Sequence, residues 1–297
     1  MKKLKGVFPV VLTPFKGDDQ SVDYDRLDKH VDYLLESNAH GLCANGSTSE
    51  FPLLSEQEAF DVAKRIITRV DGRVPIIVGA CAPSTWKTIE FAKMGEDLGA
   101  DALLMLPPYY YPLNDEEIYK HYEVVSQNTK LPIMIYNNPH TSKLDLQPEL
   151  VAKLAQIDNI AYIKESTGFA TRIHDIQALA GNNIDIFIGS DNIFFDALVS
   201  GATGVIASSG NIASSFMVEI YNLIVNEKNI DEAREKFQRI SPLLTFVDGS
   251  PNFVQVLKTA LGIMGRPIGS PRLPLLNLTG EKLGKLRKIL EDLKLAK

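Results

Sequence analysis

Lys164 is the residue whose type and position most directly predict chemistry. It follows the apolar run Ile160–Ile163 and precedes Glu165, so it stands at the carboxyl end of a predicted buried strand. Burial lowers the pKa of an amine and favours its neutral, nucleophilic form, because an ammonium ion is costly to remove from water. A neutral amine attacks a ketone, and the sequence therefore predicts a Schiff-base lysine. The alternative is a strand-end lysine whose ammonium group reaches solvent.

Polar groups also follow other predicted strands. Ser47 and Thr48 lie in the segment Asn45–Phe51, where hydroxyls and backbone N–H groups form a suitable cradle for a small carboxylate. A hydroxyl-rich helix cap is the other interpretation of that segment. Tyr136 ends the strand that precedes the strand of Lys164, which places a phenol within reach as a proton carrier.

Two later loops add further polar side chains. One contains Gly189, Ser190 and Asp191, and the other begins at Ser208. Loops at these places hold phosphate in many barrels, but neither loop has the lysine, arginine or glycine-rich run of a phosphate grip. A neutral pocket rich in hydroxyls is better suited to a carbonyl compound or a polyol chain.

Short apolar runs alternate with amphipathic helical stretches, which is typical of βα units and a parallel sheet. A similar Gly-Ala turn precedes two of the strands, at Gly99–Ala100 and Gly201–Ala202. The unit count, the repeated turn and the length favour a closed (β/α)8 TIM barrel over an open sheet, with its chemistry at the strand ends. The predicted strands are Gly6–Leu12, Gly41–Ala44, Pro75–Cys81, Ala102–Leu106, Pro132–Tyr136, Ile160–Lys164, Ile184–Ile188 and Gly204–Ala207.

The chain continues beyond the eighth strand as three helical patterns. We expect residues 1–225 to form the barrel and residues 226–297 to form a C-terminal helical extension packed on it, because no flexible linker separates the two. The extension is also a candidate surface for oligomer formation. The helical patterns fall near residues 230–247, 251–265 and 279–296.

Composition argues against several classes of function. The 297 residues are 45% hydrophobic and 23% charged, with a formal net charge of -6. An acidic chain without a lysine- or arginine-rich block is a poor partner for nucleic acid or an anionic membrane. No apolar run reaches the length of a membrane span or a signal-peptide core, so we expect a cytoplasmic protein. Cys43 and Cys81 predict buried, reduced thiols, and the five scattered histidines give no zinc-site spacing.

Three segments, taken in order, resemble the dihydrodipicolinate synthase and N-acetylneuraminate lyase family of Schiff-base barrels. They are Gly46–Glu50, Tyr136–Pro139 and Ile163–Ser166, and the resemblance extends from Gly6 to Pro274. It implies a class I aldolase-type lyase that joins or separates a 2-keto acid such as pyruvate and an aldehyde. It also implies that neither a metal nor an organic cofactor is needed.

The resemblance implies a role for each matching residue. Lys164 would form the imine, and Tyr136 would carry protons while the carbinolamine and the carbon–carbon bond form or break. Ser47 and Thr48 would hold the keto-acid carboxylate and belong to the proton relay. Tyr110 matches a tyrosine that, in the synthases, enters the site of a neighbouring subunit, which implies at least a dimer and commonly a homotetramer built as a dimer of dimers.

Two departures from the family pattern bear on the substrate. At the position of Thr141 the lysine-pathway synthases have an arginine that grips the carboxylate of aspartate semialdehyde. Neither Thr141 nor its neighbours His140 and Lys143 has a planar guanidinium group, which binds a carboxylate through two hydrogen bonds. At the position of Asn192 the sialic acid lyases are expected to have a glutamate, and its absence counts against sialic acid.

The remaining similarity is to aldolases that act on 2-keto-3-deoxy sugar acids. The favoured hypothesis is a pyruvate-type lyase that cleaves or forms a 4-hydroxy-2-keto acid. The first alternative is 4-hydroxy-tetrahydrodipicolinate synthase, which condenses pyruvate with aspartate semialdehyde, and the second is a barrel that binds a keto acid without turnover. With Ser47 and Thr48, the substrate-binding residues that the resemblance implies are Ser166, Gly189, Ser190, Asp191 and Ser208.

Overall fold

The computed structural model describes residues 3–17 and 19–297, in which short strands alternate with helices. The strands are β1 (Gly6–Pro9), β2 (Leu42–Ala44), β3 (Ile76–Gly79), β4 (Ala102–Met105), β5 (Ile133–Asn137), β6 (Ile160–Glu165), β7 (Asp185–Ile188) and β8 (Gly204–Ala207). The helices between and after the strands are α1 (Tyr24–Glu36), α2 (Glu56–Val70), α3 (Thr85–Leu98), α4 (Asp115–Ser126), α5 (Pro139–Ser142), α6 (Pro148–Leu154), α7 (Thr171–Ala180), α8 (Phe194–Val199) and α9 (Gly210–Asn222). The C-terminal extension contains α10 (Ile230–Asp248), α11 (Phe253–Ile263) and α12 (Gly280–Asp292).

The strands form the closed barrel that the sequence predicts. They lie in the order β1-β8-β7-β6-β5-β4-β3-β2, and every adjacent pair is parallel. The ring closes where Val10 bridges Cys43 of β2, next to a hydrogen bond of 2.9 Å from Val11 N to Cys43 O. The first strand was predicted to reach Leu12 but ends at Pro9, because the chain there leaves β8 and crosses to β2.

Alternate residues of each strand point into the barrel, since successive side chains of a strand lie on opposite faces. The outward faces pack against the surrounding helices. A residue two positions beyond an interior side chain therefore points inward at the mouth of the barrel. The interior side chains include Phe8, Ile77, Leu104, Met134, Tyr162, Phe187 and Ile206.

The C-terminal extension shares its core with the barrel. Val205 of β8 belongs to the same buried cluster as Leu257 of α11 and Leu286 of α12. A buried ion pair of 2.5 Å also joins Lys258 Nζ of α11 to Glu50 Oε1 in the loop after β2. These contacts hold the extension against the barrel, while the boundary at residue 225 stays a prediction.

The structure also bears on the features predicted from composition. Cys43 and Cys81 are buried, free thiols, and burial raises their pKa values to about 12 and about 11, which keeps both protonated. Across residues 3–17 and 19–297, no helix combines the length and the apolar character needed to cross a membrane. No group of three or more His, Cys, Asp or Glu in the same part of the chain could hold a metal ion.

Candidate active site

Lys164 lies inside the mouth of the barrel, on the inner face of β6. It comes two residues after the interior residue Tyr162, so the alternation of the strand turns its side chain inward. Only 4% of Lys164 is exposed, and its Nζ lies 4.1 Å from the centroid of the Tyr136 ring. The two residues are register partners on β5 and β6. The fold thus brings the predicted nucleophile to the predicted proton carrier.

The Tyr136 phenol is oriented by a neighbouring side chain. Its Oη accepts a hydrogen bond of 2.8 Å from Asn138 Nδ2. This bond fixes the orientation of the phenol group at the end of β5.

The loop after β2 presents two hydroxyl groups to the mouth. Ser47 and Thr48 begin one turn of 3-10 helix, which is fixed by a hydrogen bond of 2.6 Å from Ser49 Oγ to Val11 O. Thr48 Oγ1 shares a hydrogen bond of 2.8 Å with Ser208 Oγ at the end of β8. Ser47 Oγ is buried without a hydrogen-bond partner among the described residues. A buried hydroxyl normally has a partner, so Ser47 is free to bind a ligand oxygen.

Gly189 has no side chain, which leaves room for the side chain of Lys164. It comes two residues after the interior residue Phe187, so a side chain at this position would point inward. A Cβ atom there would lie 1.9 Å from Ser166 Oγ and 2.6 Å from Lys164 Cε, both far inside normal contact. Glycine is therefore required by the close approach of the lysine chain.

Gly189→Ala is expected to lower kcat by about 100-fold, because the methyl group would displace the Lys164 amine by roughly 1 Å. The free energy of unfolding should fall by only about 1 to 3 kcal/mol, which is typical of overpacking. Steady-state kinetics and urea denaturation measure the two effects. Gly284→Ala in α12 is the matched control, since a Cβ atom there meets no atom within 4 Å. An unchanged kcat in Gly189→Ala would show that the lysine does not need this space.

Two carboxyl groups belong to the same region. Asp191 is fully buried, its Oδ2 accepts a hydrogen bond of 2.6 Å from Ser209 N, and its Oδ1 has no partner among the described residues. Asp248, the last residue of α10, accepts a hydrogen bond of 2.8 Å from Asn192 N. Sequence reasoning found Asp191 but missed Asp248, since only the folded chain brings the extension to this loop.

Both carboxyl groups have a raised pKa. Burial raises the pKa of Asp191 to about 6, although the Ser209 hydrogen bonds and the Lys164 charge oppose the shift. Solvent reaches Asp248, but surrounding protein still desolvates its carboxylate and raises its pKa, and the Asp191 charge raises it further. Carboxylate oxygens accept hydrogen bonds, so Asp191 Oδ1, unpartnered within the described residues, is suited to binding a hydroxyl group.

A buried histidine supports the loop after β8. His30 Nε2 lies 2.7 Å from Asn211 Oδ1, and Asn211 Nδ2 donates to Ser208 O at 2.9 Å and to Val10 O at 2.7 Å. Burial lowers the pKa of His30 to about 4, so the ring stays neutral near pH 7. These bonds hold Ser208 where it meets Thr48. His30 could not be found by looking at strand ends, because it lies in the middle of α1.

Most of the predicted site residues lie together in the buried mouth of the barrel. Ser190 and Tyr110 are more exposed to solvent. Ser190 is half-buried and precedes the 3-10 turn Asp191–Ile193. Tyr110 is 76% exposed, and its ring packs edge-on against Tyr111 with 5.1 Å between centroids. Tyr110 is therefore not part of the buried cluster within one chain. The residues that line or support the mouth are Lys164, Tyr136, Ser47, Thr48, Ser166, Gly189, Asp191 and Ser208.

The chain also matches a known protein family along almost its whole length. The model of the dihydrodipicolinate synthetase family matches residues 3–293. This chain belongs to the dihydrodipicolinate synthetase family. Enzymes of the family are lyases and synthases that use a lysine Schiff base, so this member is an enzyme of that kind.

Individual members of the dihydrodipicolinate synthetase family are similar in sequence and in structure. The 4-hydroxy-tetrahydrodipicolinate synthase of Archaeoglobus fulgidus is 39% identical, over 98% of this chain and 99% of the relative. The dihydrodipicolinate synthase of Thermotoga maritima is 32% identical with a TM-score of 0.93, over 98% of this chain and 99% of that structure. YagE, an E. coli K12 prophage protein of the same family solved in complex with pyruvate, is 28% identical with a TM-score of 0.93, over the same shares.

Proposed function

We propose that this enzyme is a pyruvate-dependent class I aldolase that forms or cleaves a 4-hydroxy-2-keto acid of the 2-keto-3-deoxy sugar acid class. The observation that supports it most is the buried Lys164 amine, 4.1 Å from the centroid of the Tyr136 ring at the mouth of the barrel. Pyruvate is the inferred keto acid, because the similar protein YagE was solved in complex with it.

The geometry suggests how each residue takes part in the reaction. The Lys164 Nζ attacks the ketone carbon of pyruvate, and the resulting carbinolamine loses water to give a protonated imine. Tyr136 donates the proton that leaves with that water and later moves protons to and from the substrate oxygen. The hydroxyls of Ser47 and Thr48 and nearby backbone N–H groups bind the pyruvate carboxylate.

The protonated imine explains how the carbon–carbon bond forms and breaks. It withdraws electrons, so the pyruvate methyl group loses a proton and becomes an enamine. The enamine carbon attacks the aldehyde carbonyl, whose oxygen takes a proton and becomes the 4-hydroxyl group. Water then hydrolyses the imine and releases the product, and the reverse sequence cleaves the acid into pyruvate and an aldehyde.

Charge at the mouth favours a neutral, hydroxylated aldehyde. Asp191 and Asp248 present carboxyl groups near Lys164, and the Asp191 Oδ1 lacks a partner among the described residues. Thr141 is exposed on the one-turn helix α5, where the lysine-pathway synthases are expected to have an arginine. An aldehyde with its own carboxylate would face like charge without a guanidinium partner. A polyol aldehyde instead offers hydroxyls to Asp191 and Ser208.

The second candidate function is 4-hydroxy-tetrahydrodipicolinate synthase. The observation that favours it is the name of the relatives, among them the Archaeoglobus fulgidus enzyme at 39% identity. Both functions begin with the same lysine imine, so they differ only in the aldehyde. A panel of 2-keto-3-deoxy acids tested for released pyruvate, beside a coupled assay with aspartate semialdehyde, distinguishes them.

Thr141→Arg is expected to raise kcat/KM for aspartate semialdehyde by about 10-fold or more, because a charge-assisted hydrogen bond contributes roughly 1.5 to 3 kcal/mol. The same change should leave the rate of pyruvate imine formation unaltered. Thr141→Gln is the matched control, since it adds length without charge. Equal kcat/KM values for the semialdehyde in wild type and Thr141→Arg would contradict the proposed carboxylate argument.

The proposal includes a cytoplasmic homotetramer built as a dimer of dimers. Its support is three exposed aromatic side chains, Trp86, Tyr110 and Tyr111, of which the two tyrosines pack together, since large exposed apolar groups are typical of protein interfaces. Tyr110 would then complete the site of a neighbouring subunit. Two buried thiols without a disulfide fit a reducing compartment.

A further inference from the structure

A buried polar network lies directly behind the proposed nucleophile and proton carrier. Asn137 follows Tyr136 on β5 and Glu165 follows Lys164 on β6, so both point away from the barrel interior. They are register partners, and Asn137 Nδ2 donates to Glu165 Oε2 at 2.9 Å. Both residues are fully buried. One hydrogen bond therefore ties together the two strand ends that hold the reacting groups.

The network fixes each strand end to the loop that follows it. Glu165 Oε1 accepts a hydrogen bond of 2.7 Å from Thr167 N, and Asn137 Oδ1 accepts one of 3.0 Å from Leu146 N. Asn137 Nδ2 also donates to Asp145 Oδ1 at 3.1 Å. Every polar atom of the Asn137 side chain thus has a partner, which leaves one arrangement of the side chain favoured.

An ion pair extends the network to α7. Asp145 pairs with Arg172, whose Nη1 also lies 3.5 Å from Leu146 O. Residues 143–147 connect α5, which contains His140 and Thr141, to α6. The ion pair therefore anchors the segment after β5 that contains Thr141, the residue proposed above to face the aldehyde.

Burial of the Glu165 carboxyl group opposes its ionisation. It raises the pKa of Glu165, although the hydrogen bonds from Asn137 and Thr167 oppose the shift. Because the folded-state pKa is raised, the contribution of this group to stability falls as pH rises through that pKa.

We propose that Asn137 and Glu165 are positioning residues that set the distance between the Tyr136 phenol and the Lys164 amine. The Asp145–Arg172 ion pair positions the α5 segment for the aldehyde through the same network. This inference rests on the proposed Schiff-base function and assigns these four residues no contact with substrate.

Glu165→Gln tests the first part of the proposal. We expect the rate of borohydride-trapped pyruvate adduct formation and kcat to fall by about 10- to 100-fold, because small displacements of reacting groups have effects of this size. The KM for the aldehyde should stay near the wild-type value. The midpoint of urea denaturation should fall, because the glutamine amide nitrogen cannot accept the hydrogen bond that Asn137 Nδ2 or Thr167 N donates to the carboxylate. The variant and the wild type are therefore compared at equal concentrations of folded protein.

Arg172→Met tests the second part of the proposal. It should change the KM for the aldehyde and leave the rate of adduct formation unchanged. We expect the KM for the aldehyde in the condensation direction to rise by about 10-fold, as a misplaced binding segment loses contacts worth roughly 1.4 kcal/mol. The rate of adduct trapping should stay near the wild-type value. Asp101→Asn is the matched control, because its carboxylate accepts a hydrogen bond of 2.8 Å from Ile76 N at the opposite end of the barrel.

The outcomes separate this inference from the proposed function. If wild-type protein traps pyruvate and Glu165→Gln traps it equally fast, the positioning role is wrong and the function stands. Activity lost only in proportion to lost folded protein would also overturn the positioning role. If folded wild-type protein traps no pyruvate, both proposals are wrong.

Discussion

Replacing Lys164 with methionine is expected to lower kcat by about 10⁴-fold or more, because no other buried amine of the described residues lies beside Tyr136 to form the imine. Methionine keeps most of the buried apolar stem of the lysine, so the fold should be retained. Steady-state assays of pyruvate release and urea denaturation of the same preparation measure the two properties. The loss should appear in every substrate pair, since each reaction begins with the same covalent step.

Lys258→Met provides the matched control. Lys164 and Lys258 are the buried lysines in the part of the chain that the structure describes. Lys258 already pairs with Glu50, and burial lowers its pKa although the Glu50 charge opposes the shift. Its loss should lower the free energy of unfolding by about 3 to 5 kcal/mol, because a buried carboxylate is left unpaired. Folded Lys258→Met should still form the pyruvate adduct, and a Lys164→Met variant that kept wild-type turnover would contradict the mechanism.

Tyr136→Phe is expected to lower kcat by about 10²- to 10⁴-fold, which is the usual contribution of a positioned general acid–base group. Phenylalanine keeps the ring beside Lys164 Nζ, which lies 4.1 Å from the ring centroid in the wild type. The variant loses only the phenol oxygen and its hydrogen bond from Asn138. Rapid-quench measurement of imine formation should show that this step is slowed.

Tyr162→Phe is the control for the loss of a phenol. Tyr162 lies on the inner face of β6, two residues before Lys164, and its Oη accepts a hydrogen bond of 3.2 Å from Leu4 N. This contact stabilises the closed end of the barrel and does not reach the mouth. We expect kcat near the wild-type value for Tyr162→Phe. If kcat fell equally in Tyr136→Phe and Tyr162→Phe, the role of Tyr136 would be packing and not proton transfer.

The barrel could be predicted because its strands are short, apolar and buried on both faces. The strand predicted over Gly204–Ala207 has the same bounds in the structure. The strands β5 and β6 each extend one residue further than predicted, to Asn137 and Glu165. The backbone pairing continues there, because Ser166 N donates to Asn137 O at 2.9 Å and Gly189 N donates to Glu165 O at 2.7 Å. A period of two along each strand does not indicate such a contact.

The inward position of the reacting groups could also be predicted from the strand ends. Lys164 and Tyr136 stand at the carboxyl ends of neighbouring strands, and parallel strands place such residues at one mouth. Asp248 could not be found this way, because α10 meets the barrel only after the extension has packed. The space at Gly189 was equally hidden, since its reason is the path of the Lys164 side chain.

The most direct test of the central claim is to reduce the protein with borohydride in the presence of pyruvate and to locate the adduct by peptide mass spectrometry. We expect one reduced pyruvate adduct per chain, on the peptide that contains Lys164, and none in Lys164→Met. Folded wild-type protein that forms no adduct, or forms it on Lys258 or a surface lysine, would contradict the account.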